Sequence, residues 1–183
     1  MTENTTSTWV IDPNHSEVQF KVKHLGISNI AGTFNTFKGE VTSKGDDFDN
    51  AEISFELETN SISTNHEVRD GHLKGEDFFD TERFPQIIFN GILQKNPDDY
   101  QLTGELTIRD INRKITLEAE LTGAGKGRFG DTRAGFEING KINRKDFGLT
   151  WHMLTETGDL IVGEEIKLHF DIQLIKQVQE TIT

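Results

Sequence analysis

The densest gathering of titratable side chains is His66-Glu-Val-Arg-Asp-Gly-His72, set inside the longer segment from Ser61 to Gln86. Two histidines around a glutamate suggest a zinc-protease helix, but that chemistry needs both ligands on one face, as in His-Glu-x-x-His. Six residues apart on a 3.6-residue repeat, His66 and His72 stand roughly 240° from each other around the axis. The spacing gives no metal site. His66 and Asp70 do share a face, as do Arg69 and His72. They make either a surface ion pair of small weight or a polar rim at the mouth of a cavity. Thr64 with Glu67 three residues on has the form of a capping box, and Gly71 and Gly75 are poor interior residues that act as stops. The spacing predicts a brief helical insertion around residues 64–76. Phe78-Phe79 and Phe84-Pro85 follow at once, too apolar for an ordinary surface loop. The whole segment is expected to fold over one end of the domain and to plug or gate it.

Other chemistries fail on their own terms. Gly123-Ala-Gly-Lys-Gly-Arg has neither the Gly-x-x-x-x-Gly-Lys-Ser/Thr spacing nor the following helix of a phosphate loop, and it reads as a hairpin tip. No Gly-x-Ser-x-Gly elbow is present. The 183 residues include no cysteine, which removes thiolate nucleophiles, disulfides and cysteine metal sites. Nineteen basic residues against 31 acidic ones give a net charge of −12, the opposite of the basic footprint that nucleic acid requires. No run approaches the roughly 18 apolar residues of a membrane span, and Met1 to Thr8 lacks the basic start and apolar core of a secretory leader. The expectation is a cytoplasmic protein, or a periplasmic one if a leader has been removed.

The elements that must position the central segment are strands. Seventeen glycines against three prolines, with apolar and polar residues alternating almost throughout, point to antiparallel β structure. Val18, Phe20 and Val22 alternate with Glu17, Gln19, Lys21 and Lys23, and Ile53, Phe55 and Leu57 alternate with Glu52, Ser54, Glu56 and Glu58. The same period runs through 37–41, 86–93, 102–108, 115–121, 136–142 and 166–174. Residues 9–13 read as a short lead-in, 25–31 as a loop or helical turn, and 44–50 as a turn. About eight strands with one apolar side each can close into a barrel or pack as a two-sheet sandwich, and period alone does not choose. Thirteen phenylalanines against one tyrosine bring bulk without a polar handle, suited to a core or to an apolar pocket wall. Phe78, Phe79, Phe84, Phe147 and Trp151 stand outside the alternation and are placed at the pocket mouth.

Several motifs together resemble the YceI-like family. Trp9-Val-Ile-Asp-Pro-Asn-His-Ser-Glu-Val-Gln-Phe with Lys23-His24-Leu25-Gly26, then Gly32-Thr-Phe and Phe37-x-Gly39, are similar to its opening. Ser61-Ile-Ser-Thr, Arg69-Asp-Gly-His-Leu-Lys, Asp77-Phe-Phe-Asp and Arg83-Phe-Pro-Gln-Ile-Ile-Phe resemble its middle, and Gly104-Glu-Leu-Thr-Ile and Ile142-Asn-Arg-Lys-Asp-Phe-Gly its second half. Arg109-Asp110 stands where the family often has glycine. The match spans about residues 9 to 175. The resemblance implies an all-β, about eight-stranded, antiparallel lipocalin-like barrel with the helical insertion, holding a long apolar molecule such as a polyisoprenoid or an isoprenoid quinone. It implies no required cofactor and no metal, and it admits a homodimer.

On that reading the lining comes from inward-facing strand positions: Phe20, Val22, Phe37, Phe55, Leu57 and Phe89 in the first half, Leu106, Ile108, Phe136, Ile138, Leu168 and Phe170 in the second. Leu73 and the five off-period aromatics complete it at the insertion. His24, Arg69, Asp70 and His72 form the polar mouth. Residues 9–176 make a single domain, with 1–8 as a disordered lead and 177–183 as a tail. The expected function is non-catalytic carriage or sequestration of an isoprenoid-type lipid. An enzyme acting on a lipid or quinone, with His24, Asp70 or His72 as acid–base group, is the alternative, and a stress-related interaction module with a filled core is another.

Overall fold

The computed structural model describes residues 5–150 and 162–178. Its strands are β1 (Thr6–Ile11), β2 (Glu17–His24), β3 (Ser28–Phe34), β4 (Phe37–Lys44), β5 (Asp47–Glu58) and β6 (Ile62–Ser63), then β7 (Gln86–Lys95), β8 (Tyr100–Ile108), β9 (Ile111–Lys126), β10 (Thr132–Asn143) and β11 (Val162–Lys176). One helix, α1 (Glu67–Lys74), lies between β6 and β7. Eight strands close on themselves in the order β1-β4-β5-β7-β8-β9-β10-β11, the last pairing with the first through Trp9 and Lys176, Val10 and Ile175, and Ile11 and Leu174. Closure removes the exposed edges that a sandwich would keep, so the barrel alternative holds. The remaining three strands form a flap. β2 pairs with the first part of β11, β3 with β2, and two-residue β6 with β3.

β1 and β2 therefore share one edge of β11, separated by a 3-10 turn at Pro13–His15. Asp12 caps that turn and anchors it. Its carboxylate accepts from Asn14 N, from His15 Nδ1 at 2.7 Å and from Arg133 Nη1 at 2.8 Å, and Arg133 also reaches Gln173 Oε1 and Asp131. The Arg133 guanidinium first, and His15 second, hold the Asp12 carboxyl below its usual range.

One end of the barrel is packed solid. Trp9 and Phe48 lie 4.9 Å apart, Phe48 and Phe136 meet edge-on at 5.0 Å, and Tyr100 and Phe136 at 5.8 Å, with Ala51, Ala119 and Ala134 filling between them. This aromatic floor sits by the β4–β5, β7–β8 and β9–β10 turns. The opposite, insertion end carries the β2–β3 and β8–β9 turns, α1 and the 3-10 turn Arg144–Phe147.

The chain departs from its sequence reading in five places. β1 begins at Thr6, so the boundary drawn at residue 8 falls inside a strand, because Thr6–Thr8 pair with Lys44–Thr42 and Ser7 is buried. Residues 9–11 are barrel wall, with Trp9 Nε1 donating to Ser43 Oγ at 2.9 Å. Residues 28–31 belong to β3. Its apolar face is thin because Gly32 yields its room to the Phe20 ring, whose Cζ lies 2.3 Å from where a Cβ would stand. The turn expected over 44–50 is confined to Gly45-Asp46, which frees Phe48 to enter the floor. Finally, α1 is capped by His66, whose Nδ1 accepts from Arg69 N at 3.1 Å, rather than by Thr64.

Candidate binding cavity

Between the floor and the insertion the barrel is hollow. The centre of a water-sized sphere can move through about 200 Å³ of it, and the empty space between wall atoms, its open side included, comes to about 1580 Å³. The surface facing this space is entirely apolar. The hollow exists partly because glycines let aromatic rings fold back against the wall. Gly91 and Gly104 face each other across β7 and β8, and the Phe89 ring occupies the room their side chains would take. A dry cavity of this kind offers water no partners and favours apolar guests; one of about 150 Å³ already accepts benzene.

The strands deliver their alternation to the cavity: Phe20, Val22, Phe55, Leu57, Phe89, Leu106, Ile108, Phe136, Ile138, Leu168 and Phe170 all border it, joined by Leu73, Phe78 and Phe79 from the insertion. Phe79 packs edge-on against Phe34 at 5.7 Å, and Phe34 against Phe20 at 5.6 Å, so the insertion is keyed into the wall by rings. Three expected lining residues lie elsewhere. Phe37 is half-buried beside Phe55, with ring centroids 6.3 Å apart. Phe84 is held by guanidinium groups, Arg83 at 5.1 Å and Arg109 at 5.4 Å, which accounts for an aromatic in an otherwise polar turn. Phe147 is fully buried in the core under the 3-10 turn. Trp151 lies outside the described residues.

The four residues assigned to a polar mouth do not border the cavity. Asp70 Oδ1 accepts from both the backbone N and the Oγ1 of Thr64, and Arg69 donates to Thr64 Oγ1 at 2.7 Å and to its carbonyl at 2.8 Å. The pair clamps α1 onto β6. His72 Nε2 lies 3.1 Å from Asp77 Oδ2, with its ring edge-on to Phe78 at 5.1 Å, which orients a lining aromatic from behind. His24 ends β2, and its carbonyl accepts from Ile27 N.

The wall also holds residues that were not singled out. Val18, Leu102, Ile172 and Leu174 are in phase with neighbours that were, and Leu117 falls on the alternation of 115–121. Arg144 had no such signal, since Asn-Arg-Lys-Asp-Phe-Gly reads as a polar turn. Asn143 Oδ1 accepts from Lys145 N, Gly148 takes a left-handed φ of 74°, and the resulting fold-back buries Arg144. Its guanidinium donates to the carbonyls of Gly163, Leu149 and Val162, tying the 3-10 turn to β11. Burial pushes this group down from its ordinary value, and Glu164 opposes the shift. Among the described residues, side chains that could hold a metal ion gather once, at Glu137, His169 and Asp171 on the outer wall. Both His169 nitrogens there already face Asn139 and Asp171.

A closed antiparallel barrel with a packed floor and an oily interior is a calyx, the lipocalin-like barrel fold. The YceI-like domain model matches residues 9–174, and the chain belongs to that family. A UPF0312 protein from Yersinia pestis (strain Pestoides F) is 41% identical over 160 residues, 87% of this chain and 80% of that one. The crystal structure of Burkholderia cenocepacia BcnA superposes with a TM-score of 0.77 at 20% identity, covering 89% of this chain and 98% of that one. A polyisoprenoid binding domain from Saccharophagus degradans superposes at 0.67 with 14% identity, covering 92% and 98%.

Proposed function

We propose that this protein binds a long isoprenoid-type lipid, a polyprenyl lipid or an isoprenoid quinone, inside the barrel and carries or sequesters it without transforming it. The observation that carries the reading is the wholly apolar interior. Each methylene moved there from water contributes roughly 0.8 kcal/mol, and part of the sum is lost to ordering a flexible chain. With no polar surface to meet inside, the head group stays at the insertion end. The polyisoprenoid-binding neighbour supports the ligand class. The hollow interior speaks against a module with a filled core. An acid–base enzyme finds no support in the positions of His24, Asp70 and His72, since Asp70 and His72 are engaged in holding the insertion and none of the three borders the cavity.

The test is organic extraction of the purified protein followed by mass spectrometry, with uptake of added prenyl lipid by the emptied protein. A co-purified long-chain prenyl compound is the expected result. Repeated recovery of no apolar ligand, together with no uptake, overturns the proposal.

A further inference from the structure

Among the described residues, exposed large apolar side chains occur at both ends and on the wall, with Phe129 and Val178 at the floor end and Ile88 and Ile92 on β7; three lie at the insertion end. Leu25 (41% exposed) and Ile27 (87%) form the β2–β3 turn, and Val68 (80%) stands on α1, all at the insertion end. The turn is also strained. Leu25 and Gly26 hold φ values of +56° and +65°, with Ile27 N bonded to the His24 carbonyl at 3.1 Å. That is the left-handed corner where Asn-Gly is favoured. A leucine there incurs a steric penalty that asparagine or glycine largely escapes, and its side chain stays half in water.

The strand leading into this turn carries Lys21 and Lys23. The register sets Lys21 directly opposite Lys167 of β11, and Lys167 opposite Lys141 of β10, all exposed. Like charges facing each other across strands repel. Lys141 has Glu165 at 3.8 Å, whereas Lys21, Lys23 and Lys167 make no ion pair with any carboxylate of the described residues. Four residues along the same strands, toward the floor, the corresponding row is Glu17, Asp171, Glu137 and Glu120. On these strands the lysine row lies nearer the insertion end than the carboxylate row, with Glu164 and Glu165 beyond it and Arg133 and Lys176 at the floor. The chain's net charge of −12 resists indiscriminate contact with an anionic surface, so the row of lysines without ion pairs is the part of this wall that can meet one.

We propose that the insertion end docks on an anionic lipid bilayer, with Leu25 and Ile27 entering the acyl boundary and Lys21, Lys23 and Lys167 over the head groups. Interfacial binding adds apolar area to electrostatic attraction in this way. The purpose of docking rests on the lipid-carrier reading: with the floor packed, a lipid passes at the other end.

The chain has no cysteine, so a single one can carry an environment-sensitive nitrobenzoxadiazole dye. Full-length Ile27→Cys is compared with Phe129→Cys, whose side chain is 89% exposed on the β9–β10 tip at the floor end. Each is mixed at low ionic strength with vesicles of phosphatidylcholine alone or with added phosphatidylglycerol. The expected result is a blue shift at position 27 only, with the anionic vesicles only, reversed by salt. Adding Lys21→Gln and Lys167→Gln weakens partitioning about 25-fold, at roughly fivefold per lysine, with the circular dichroism spectrum unchanged. No response to anionic vesicles, an equal response at position 129, or full binding by the lysine variant overturns the proposal. So does a concentration-dependent shift at 27 without vesicles, which means a second copy covers the turn. Extraction of the same preparations separates the two ideas: a lipid-loaded protein blind to vesicles defeats docking alone, and a vesicle-binding protein that never holds lipid defeats the carrier reading alone.

Discussion

Replacing Ile138 by tryptophan puts the cavity itself to the test. Ile138 lies on β10, half-buried, and its side chain borders the hollow. An indole there has room to extend into empty space, so the usual cost of overpacking a filled core, about 1–3 kcal/mol, is not expected. The added bulk takes the place of about two methylenes of a guest chain, or ~1.6 kcal/mol of binding at ~0.8 per methylene. That is a loss of roughly 15-fold in affinity. The assay is displacement of a fluorescent prenyl probe, with thermal unfolding of the same samples as a control. A Tm at or above the parent's with weakened binding is the expected pair. Undiminished affinity in a folded Ile138→Trp protein refutes the idea that the guest occupies this space. A collapse of stability refutes the idea that the space is empty.

Asp12 gives a pH signature. Its carboxyl is depressed in the folded protein, chiefly by Arg133, so its contribution is complete above the unfolded carboxylate range and is lost as pH falls through the depressed value. Asp12→Asn should lower Tm at neutral pH and flatten its fall on acidification, read by thermal melts across pH 2 to 7. Two glycines make a matched contrast in the same melts. A Cβ at Gly104 would stand 2.3 Å from Asn90 O and 2.5 Å from Gly91 Cα, so Gly104→Ala should destabilise by about 1–3 kcal/mol. Gly71 in α1 has open space around it, and Gly71→Ala should stabilise by about 0.5–1 kcal/mol. Thr64→Val removes the hydroxyl that Asp70 and Arg69 share. Hydrogen exchange should accelerate across residues 62–80 and remain unchanged in β9 and β10.

The period of two carried most of this architecture, because a half-buried strand writes its inward face directly into the chain. It located the wall from Phe20 to Phe170 and went astray where small residues thin the apolar face, as at Ile30-Ala-Gly32. It also failed where a hydrophobic residue follows a turn signal closely, as at Phe48. Site residues off the period were harder to place. Phe78 and Phe79 face inward because backbone bonds from Phe78 N to Gly75 O and from Phe79 N to Leu73 O turn the chain back on the helix. Phe84, six and five residues on, is claimed by two arginines instead. Arg69 and Asp70 are conspicuous in the sequence for a reason other than ligand contact: they fasten a helix that has little apolar surface of its own. Nothing local in the chain foretells that Arg144 is buried, since Val162 and Gly163, two of its carbonyl partners, come from a strand that the fold brings in.

The division of one β11 edge between β1 and β2 has a mechanical consequence. Below the Pro13–His15 turn, closure is a ring in which every strand is hydrogen-bonded on both sides, so the girth of the base is fixed by register. Above it, β2 and β3 hang from β11 and reach β4 and β5 through the short 34–37 connection, the Glu58 N to Thr36 O bond and two-residue β6, which pairs with β3. The collar is thus held by fewer backbone bonds than the cup beneath, whose diameter the closed register keeps.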